Sequence, residues 1–157
     1  MRAKTHEHIP EFLWHWMKPF NQRLAKNFSS RSKASRLVLI LTTQGRKSGL
    51  PRRTPLQFEE IDGVYYVASA RGVQADWYRN ILANPNVEIQ IQERHFQARA
   101  ETISDPAHIA DFLEIRLQRR PRMMSAMLRL EGLDPKFDRA ALEELAARKA
   151  LVAIRPN

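Results

Sequence analysis

The sequence predicts an α+β domain built on a small, mostly antiparallel β-barrel of about six strands. Three observations predict it. Several runs alternate apolar with polar residues, a tight-turn dipeptide joins two extended runs, and helical apolar spacing is confined to the two ends and one short insertion.

Near the N-terminus, Phe12, Trp16, Phe20 and Leu24 recur every fourth position, as on one face of a helix, which Pro19 interrupts. The Ser/Lys/Arg-rich residues 29–36 read as an exposed linker. Residues 36–43 are then a β-branched, nearly continuous apolar run, the pattern of a buried strand. Residues 54–61 lead through Asp62-Gly63, a dipeptide preferred in tight hairpins, into residues 64–69. A short helix over residues 76–83 carries Trp77/Ile81 and Tyr78/Leu82 four apart and ends at Asn84-Pro85. A second hairpin follows, with Val87, Ile89 and Ile91 on one strand and Phe96, Ala98, Ala100 and Thr102 on the next. Ser104-Asp105-Pro106 opens a helix striped by Ile109, Phe112, Leu113 and Leu117. Helical stretches at 124–130 and 139–149 precede a closing strand at 151–154. The chain is expected to form one domain over 1–157, with a helical and basic segment at 1–35 and the barrel with its helices at 36–157.

The length suits one hydrophobic core, and 43% hydrophobic with 27% charged residues is ordinary globular composition. With no cysteine, disulfide and thiolate chemistry are excluded. The histidines at 6, 8, 15, 95 and 108 lack metal-ligand spacing, so no metal is assigned. No apolar run approaches the length of a membrane-spanning helix and no signal-peptide pattern opens the chain, so a cytoplasmic protein is expected.

The net charge of +9 points to a negatively charged partner. It falls in three regions: residues 1–36, with eight basic and two acidic residues; residues 44–53, with four basic and no acidic; and residues 116–129, with five basic. The middle region leaves a buried strand as Thr42-Thr43-Gln44-Gly45-Arg46-Lys47-Ser48-Gly49-Leu50-Pro51-Arg52. Glycines let backbone N–H groups converge, lysine adds a point charge and arginine a planar fork, which together suit a phosphate. A basic glycine-containing loop is also an ordinary solvated turn, and the spacing is not that of a Walker A loop.

The order of motifs is more specific. The basic loop continues into Arg52-x-Thr54-Pro55-Leu56. A hairpin ending in Ala68-Ser69 comes next, then Trp77-Tyr78-x-Asn80, then Ala83-Asn84-Pro85 and an alternating strand. In this order the chain resembles the deazaflavin-dependent nitroreductase/quinone reductase family, whose split β-barrel is shared with flavin-mononucleotide-binding oxidases. The resemblance spans about residues 37–102 and the final strand. It implies that Arg46, Lys47, Ser48 and Gly49, with Arg52, bind the cofactor's phosphate and acidic tail. It further implies that Thr54, Pro55 and Leu56, with Ala68 and Ser69, line the deazaflavin ring, and that Trp77, Tyr78 and Asn80 cover its other side. The implied cofactor is reduced coenzyme F-420, an 8-hydroxy-5-deazaflavin, with FMN as the alternative.

The chain also departs from the family pattern. The loop after Ser69 is shortened to residues 70–76, where Arg71 stands in for a tail-binding lysine. The C-terminal tyrosines of some relatives are missing, and Met123, Met124 and Met127 occupy that region. The implied activity is hydride transfer to an electron-poor small molecule such as a quinone, nitroaromatic or enone; no catalytic residue is assigned, because the cofactor supplies the redox chemistry. The alternatives are an FMN oxidoreductase of the same fold and a cofactor or lipid carrier without turnover. A nucleic-acid-binding domain is not expected, since the basic loop has no aromatic for base stacking. Trp77 and Tyr78 also fit as core aromatics, the three methionines as packing, and His95 as a surface strand residue. Residues 1–36 are expected to cap one end of the barrel, the alternative being weak peripheral contact with the anionic inner face of a membrane, and the protein is expected as monomer or homodimer.

Overall fold

The computed structural model describes residues 37–69 and 71–157. Seven strands form one antiparallel sheet: β1 (Val38–Gln44), β2 (Pro51–Gln57), β3 (Glu59–Ile61), β4 (Val64–Ser69), β5 (Asn86–Ile91), β6 (Arg94–Ile103) and β7 (Ala150–Pro156). Four helices accompany them: α1 (Asp76–Ala83), α2 (Pro106–Arg119), α3 (Pro121–Leu130) and α4 (Arg139–Ala146). The strand order is β2-β1-β5-β6-β7-β4-β3, and the sheet curls until β2 and β4 approach each other without pairing. This is a barrel split along one seam.

Alternation along each strand divides the side chains between two cores. The concave face carries Leu39 and Leu41 of β1, Tyr65 and Val67 of β4, Val87 and Ile89 of β5, and Val152 and Ile154 of β7. Helix α1 closes one end of this space with Trp77, Tyr78 and Ile81. The opposite face of β3, β4 and β7 offers Ile61, Tyr66, Ala68 and Leu151 to α2, α3 and α4, which bury Ile109, Phe112, Met124, Leu128 and Leu142 there. Asp105 caps α2 through Ala107 N at 3.2 Å, and Asp138 caps α4 through Ala141 N at 2.8 Å.

The α+β split barrel is as expected; the strand count is corrected from about six to seven. Residues 54–61, expected as one extended segment, divide at Phe58, whose N–H bonds Leu37 O at 3.2 Å while β2 pairs with β1 and β3 with β4. The break lets one segment leave the first hairpin and enter the second. The expected hairpin turn forms with both central residues at positive φ, Asp62 at 52° and Gly63 at 77°. The helix expected near residues 12–24 and the basic linker after it lie outside the described residues. No helix among the described residues is long and apolar enough to cross a membrane.

Candidate functional site

The strand directions bring the loop at 45–49, the end of β4 and the start of α1 to one end of the barrel, while Thr54, Pro55 and Leu56 run from there toward the other end. Gln44 pairs with Pro51, β1 runs toward the start of β5, and Ser69 pairs with Ala150. The β1–β2 loop, the start of α1 and the end of β4 therefore share that end.

The loop is tightly built. Gly45 N bonds Leu50 O at 2.8 Å and Gly49 N bonds Gly45 O at 2.7 Å. Leu50 N donates to Ser48 Oγ at 3.2 Å, and Arg52 Nη2 reaches the same oxygen at 3.5 Å. Gly49 has φ +70°, a left-handed conformation that favours glycine, and a Cβ on Gly45 would stand 2.7 Å from Ser48 Oγ. Arg46 is held at its backbone, its N–H donating to Asn80 Oδ1 at 3.1 Å. What remains are two consecutive N–H groups, those of Lys47 and Ser48, with no partner among the described residues. Successive open donors are the backbone chemistry that an anion can use. The exposed Lys47 and Arg52 side chains add positive charge beside them.

Arg46 is engaged within the protein itself. Its Nη1 donates to Asn80 Oδ1 at 3.0 Å and its Nη2 to Asp76 Oδ1 at 3.0 Å, tying the loop to α1. The hydrogen bond from Arg46 and the positive charges of Arg46, Arg71 and Arg79 hold the Asp76 carboxyl below the ordinary carboxylate range, against a smaller desolvation effect.

The strand residues divide by face. Thr54 and Leu56 of β2 share the concave side with Leu41 and Leu39, their cross-strand partners, and Arg52 lies on that side beyond them. Pro55 points to the opposite face. Ser69 is on the concave side, whereas Ala68 packs into the helical layer. Ser69 Oγ is buried and has no hydrogen-bond partner among the described residues, an uncompensated cost there unless another group supplies one. Trp77 and Tyr78 are buried, their rings edge-to-face with centroids 6.1 Å apart, so their side chains are core as well as neighbours of the loop. Met123, Met124 and Met127 pack inward among the helices, and His95 lies exposed on the outer face, 3.3 Å from Glu88.

One charged cluster was not anticipated. Glu59, buried at the start of β3, meets Arg116, Arg119 and Arg120 at the turn from α2 to α3. A signal existed: Arg116 interrupts the apolar stripe of Ile109, Phe112 and Leu113 at helical spacing.

Comparisons with known proteins bear on the family and the fold. The chain is 32% identical over 68 residues to the F420H(2)-dependent quinone reductase of Mycobacterium tuberculosis, a match covering 41% of this chain and 46% of that one. It thus spans about half the length of the curated relatives it matches. Among solved structures, an F420-H2-dependent reductase superposes with TM-score 0.51 at 20% identity, covering 75% of this chain and 94% of that one. A Listeria innocua protein assigned as a pyridoxamine 5'-phosphate oxidase gives TM-score 0.53 at 13% identity, covering 77% and 84%, which places the fold among the split barrels of that type. Residues 17–127 match the family described as F420H(2)-dependent quinone reductase, and the chain belongs to that family.

Proposed function

We propose that this chain is a deazaflavin-dependent reductase that delivers a hydride to an electron-poor small molecule, a quinone before all others. The observation that carries the reading is the pair of open N–H groups at Lys47 and Ser48, flanked by Lys47 and Arg52 and sharing one end of the barrel with the unpartnered Ser69 hydroxyl. When bound, reduced coenzyme F-420 supplies the hydride. The chain's own part is to bind, orient and exclude water. Lys47, Ser48 and Arg52 hold the phosphate, Thr54 and Leu56 offer a wall on the concave side, and Ser69 donates or accepts one hydrogen bond. Hydride transfer needs no nucleophile or acid–base pair of the protein, and fixing two reactants in place is a sufficient source of rate.

The charge beside the loop exceeds what one phosphate requires, which supports a cofactor with a longer acidic tail over FMN. The test is titration with coenzyme F-420 and with FMN, followed by mixing the reduced deazaflavin complex with a soluble quinone. Tighter binding of the deazaflavin and quinone-dependent loss of its reduced spectrum are expected. Equal affinity for both would favour an FMN oxidoreductase of the same fold, and binding without turnover a carrier. Lys47→Ala and Arg52→Ala should each weaken binding about tenfold to a hundredfold, the value of a charge-assisted hydrogen bond, with the fold retained.

A further inference from the structure

We propose that Asn80 is the positioning residue of the anion loop: anchored on Thr43, its side-chain amide holds Arg46 so that the next two N–H groups stay open to phosphate. The inference rests on the cofactor reading above and adds to it a second role for Asn80, the support of the loop that would hold the phosphate.

Asn80 is 3% exposed, so its amide must find partners inside the protein or be left desolvated and unpaired. It finds three. Nδ2 donates to Thr43 Oγ1 at 3.1 Å, and Oδ1 accepts from both the backbone N–H and the Nη1 of Arg46, at 3.1 and 3.0 Å. Thr43 of β1 is 1% exposed and pairs with Arg52 of β2, so the anchor belongs to the sheet. The loop is thus gripped at its first turn residue from α1, and at Gly45 and Gly49 by its own backbone bonds.

The pattern of bonds argues for positioning rather than simple packing. A side chain that only braced α1 against β1 would need Thr43 alone. Asn80 instead uses its carbonyl on the loop, at the residue immediately before the two open donors. Capturing the Arg46 N–H fixes the Gly45–Arg46 peptide plane, the one immediately before the plane that carries the Lys47 N–H. Capturing the guanidinium keeps a flexible arginine from folding over the same donors. The Asp76 carboxylate completes that restraint from the exposed side.

The experiment compares two ligands on the same proteins: coenzyme F-420, which carries the phosphate and tail, and its chromophore nucleoside, which carries neither. Asn80→Ala should weaken coenzyme F-420 about tenfold, the value of losing an ordered hydrogen-bond set, and change the nucleoside less than about twofold. Should Asn80→Ala fail to fold, Thr43→Val removes the anchor at a β-branched strand position and should give the same selective loss, with Thr43→Ser restoring affinity. An equal loss for both ligands in Asn80→Ala, or none for either, would overturn the positioning role, as would a Thr43→Val protein with wild-type affinity for coenzyme F-420. Wild-type protein that binds neither compound would instead overturn the cofactor reading, and this role with it.

Discussion

The carboxylate of Glu59 faces the guanidinium of Arg116 across 3.6 Å, and each side chain is more than nine-tenths buried. Arg116 also donates to Gln57 Oε1 at 3.1 Å, while Arg119 reaches the other Glu59 oxygen at 3.1 Å and the Glu60 carbonyl at 3.1 Å. The pair pins the break between β2 and β3 to the corner between α2 and α3. Burial lowers the Arg116 pKa, and the neighbouring Glu59 charge opposes that shift.

Removing one member of a buried pair strands the other. Glu59→Leu should therefore destabilise the fold by about 3 to 5 kcal/mol, and lower Tm by roughly 10 °C for a domain of this size. Adding Arg116→Met should restore most of the loss, because the remaining arginines are partly exposed. Thermal denaturation of the single and double variants checks this, and a double variant no better than the single would show that the other arginines carry the interaction.

Much of this fold can be read from the chain because its strands alternate cleanly and its turns use demanding residues. The Asp62-Gly63 hairpin, the helix at 76–83 and the Asp105 cap all follow from short-range chemistry. The division at Phe58 does not, since its cause is a change of pairing partner from β1 to β4 and the local pattern continues through it. The basic glycine loop was legible, but charge alone could not tell that Arg46 is tied to α1 while Lys47 is exposed. Their difference arises from Asp76 and Asn80, which meet the loop only once α1 docks. Glu59 was hidden for a similar reason: its partners lie on a distant helix, and a single acid in a strand reads as solvent-facing.

Two glycines test backbone strain against crowding. Gly72 has φ +57° and a Cβ there would stand 2.7 Å from the carbonyl oxygen of Arg148, whereas Gly63 has φ +77° with nothing within 4 Å. Gly63→Ala should cost about 1 to 2 kcal/mol, the conformational penalty alone. Gly72→Ala should cost clearly more, because the opposing atom is backbone and must shift. Chemical denaturation gives the order, and equal losses would mean that the turn at residues 72–74 relaxes freely.

The Arg46–Asp76 bond predicts a titration. Because the folded Asp76 pKa lies below its ordinary value, the bond's contribution is fully present above the ordinary carboxylate range and is lost only as pH falls through the lowered folded pKa. The carboxylate is largely exposed, so the effect on global stability is small and screened by salt. NMR titration of the Asp76 carboxyl should give a midpoint below that of free aspartate, and Arg46→Ala should raise it. A midpoint insensitive to Arg46→Ala would mean that Arg46 does not hold α1 in solution.

Ser69 separates a binding group from a structural one. A buried hydroxyl without a partner costs about 1 to 3 kcal/mol by comparison with an apolar group of the same shape. Ser69→Ala should therefore leave the cofactor-free protein as stable as wild type or more stable, by up to about that amount. The same change should weaken cofactor binding, because the hydroxyl faces the concave side at the end where the anion loop lies. Melting curves without and with coenzyme F-420 measure both effects on one sample. The free protein should melt at or above the wild-type temperature, and the cofactor-induced rise should shrink. If Ser69→Ala melts lower without cofactor, the hydroxyl has an internal partner in solution and is no longer an argument for the bound ring. If the free protein is stabilised but the cofactor-induced rise is unchanged, the ring lies elsewhere, and Thr54 and Leu56 should be tested next as its wall.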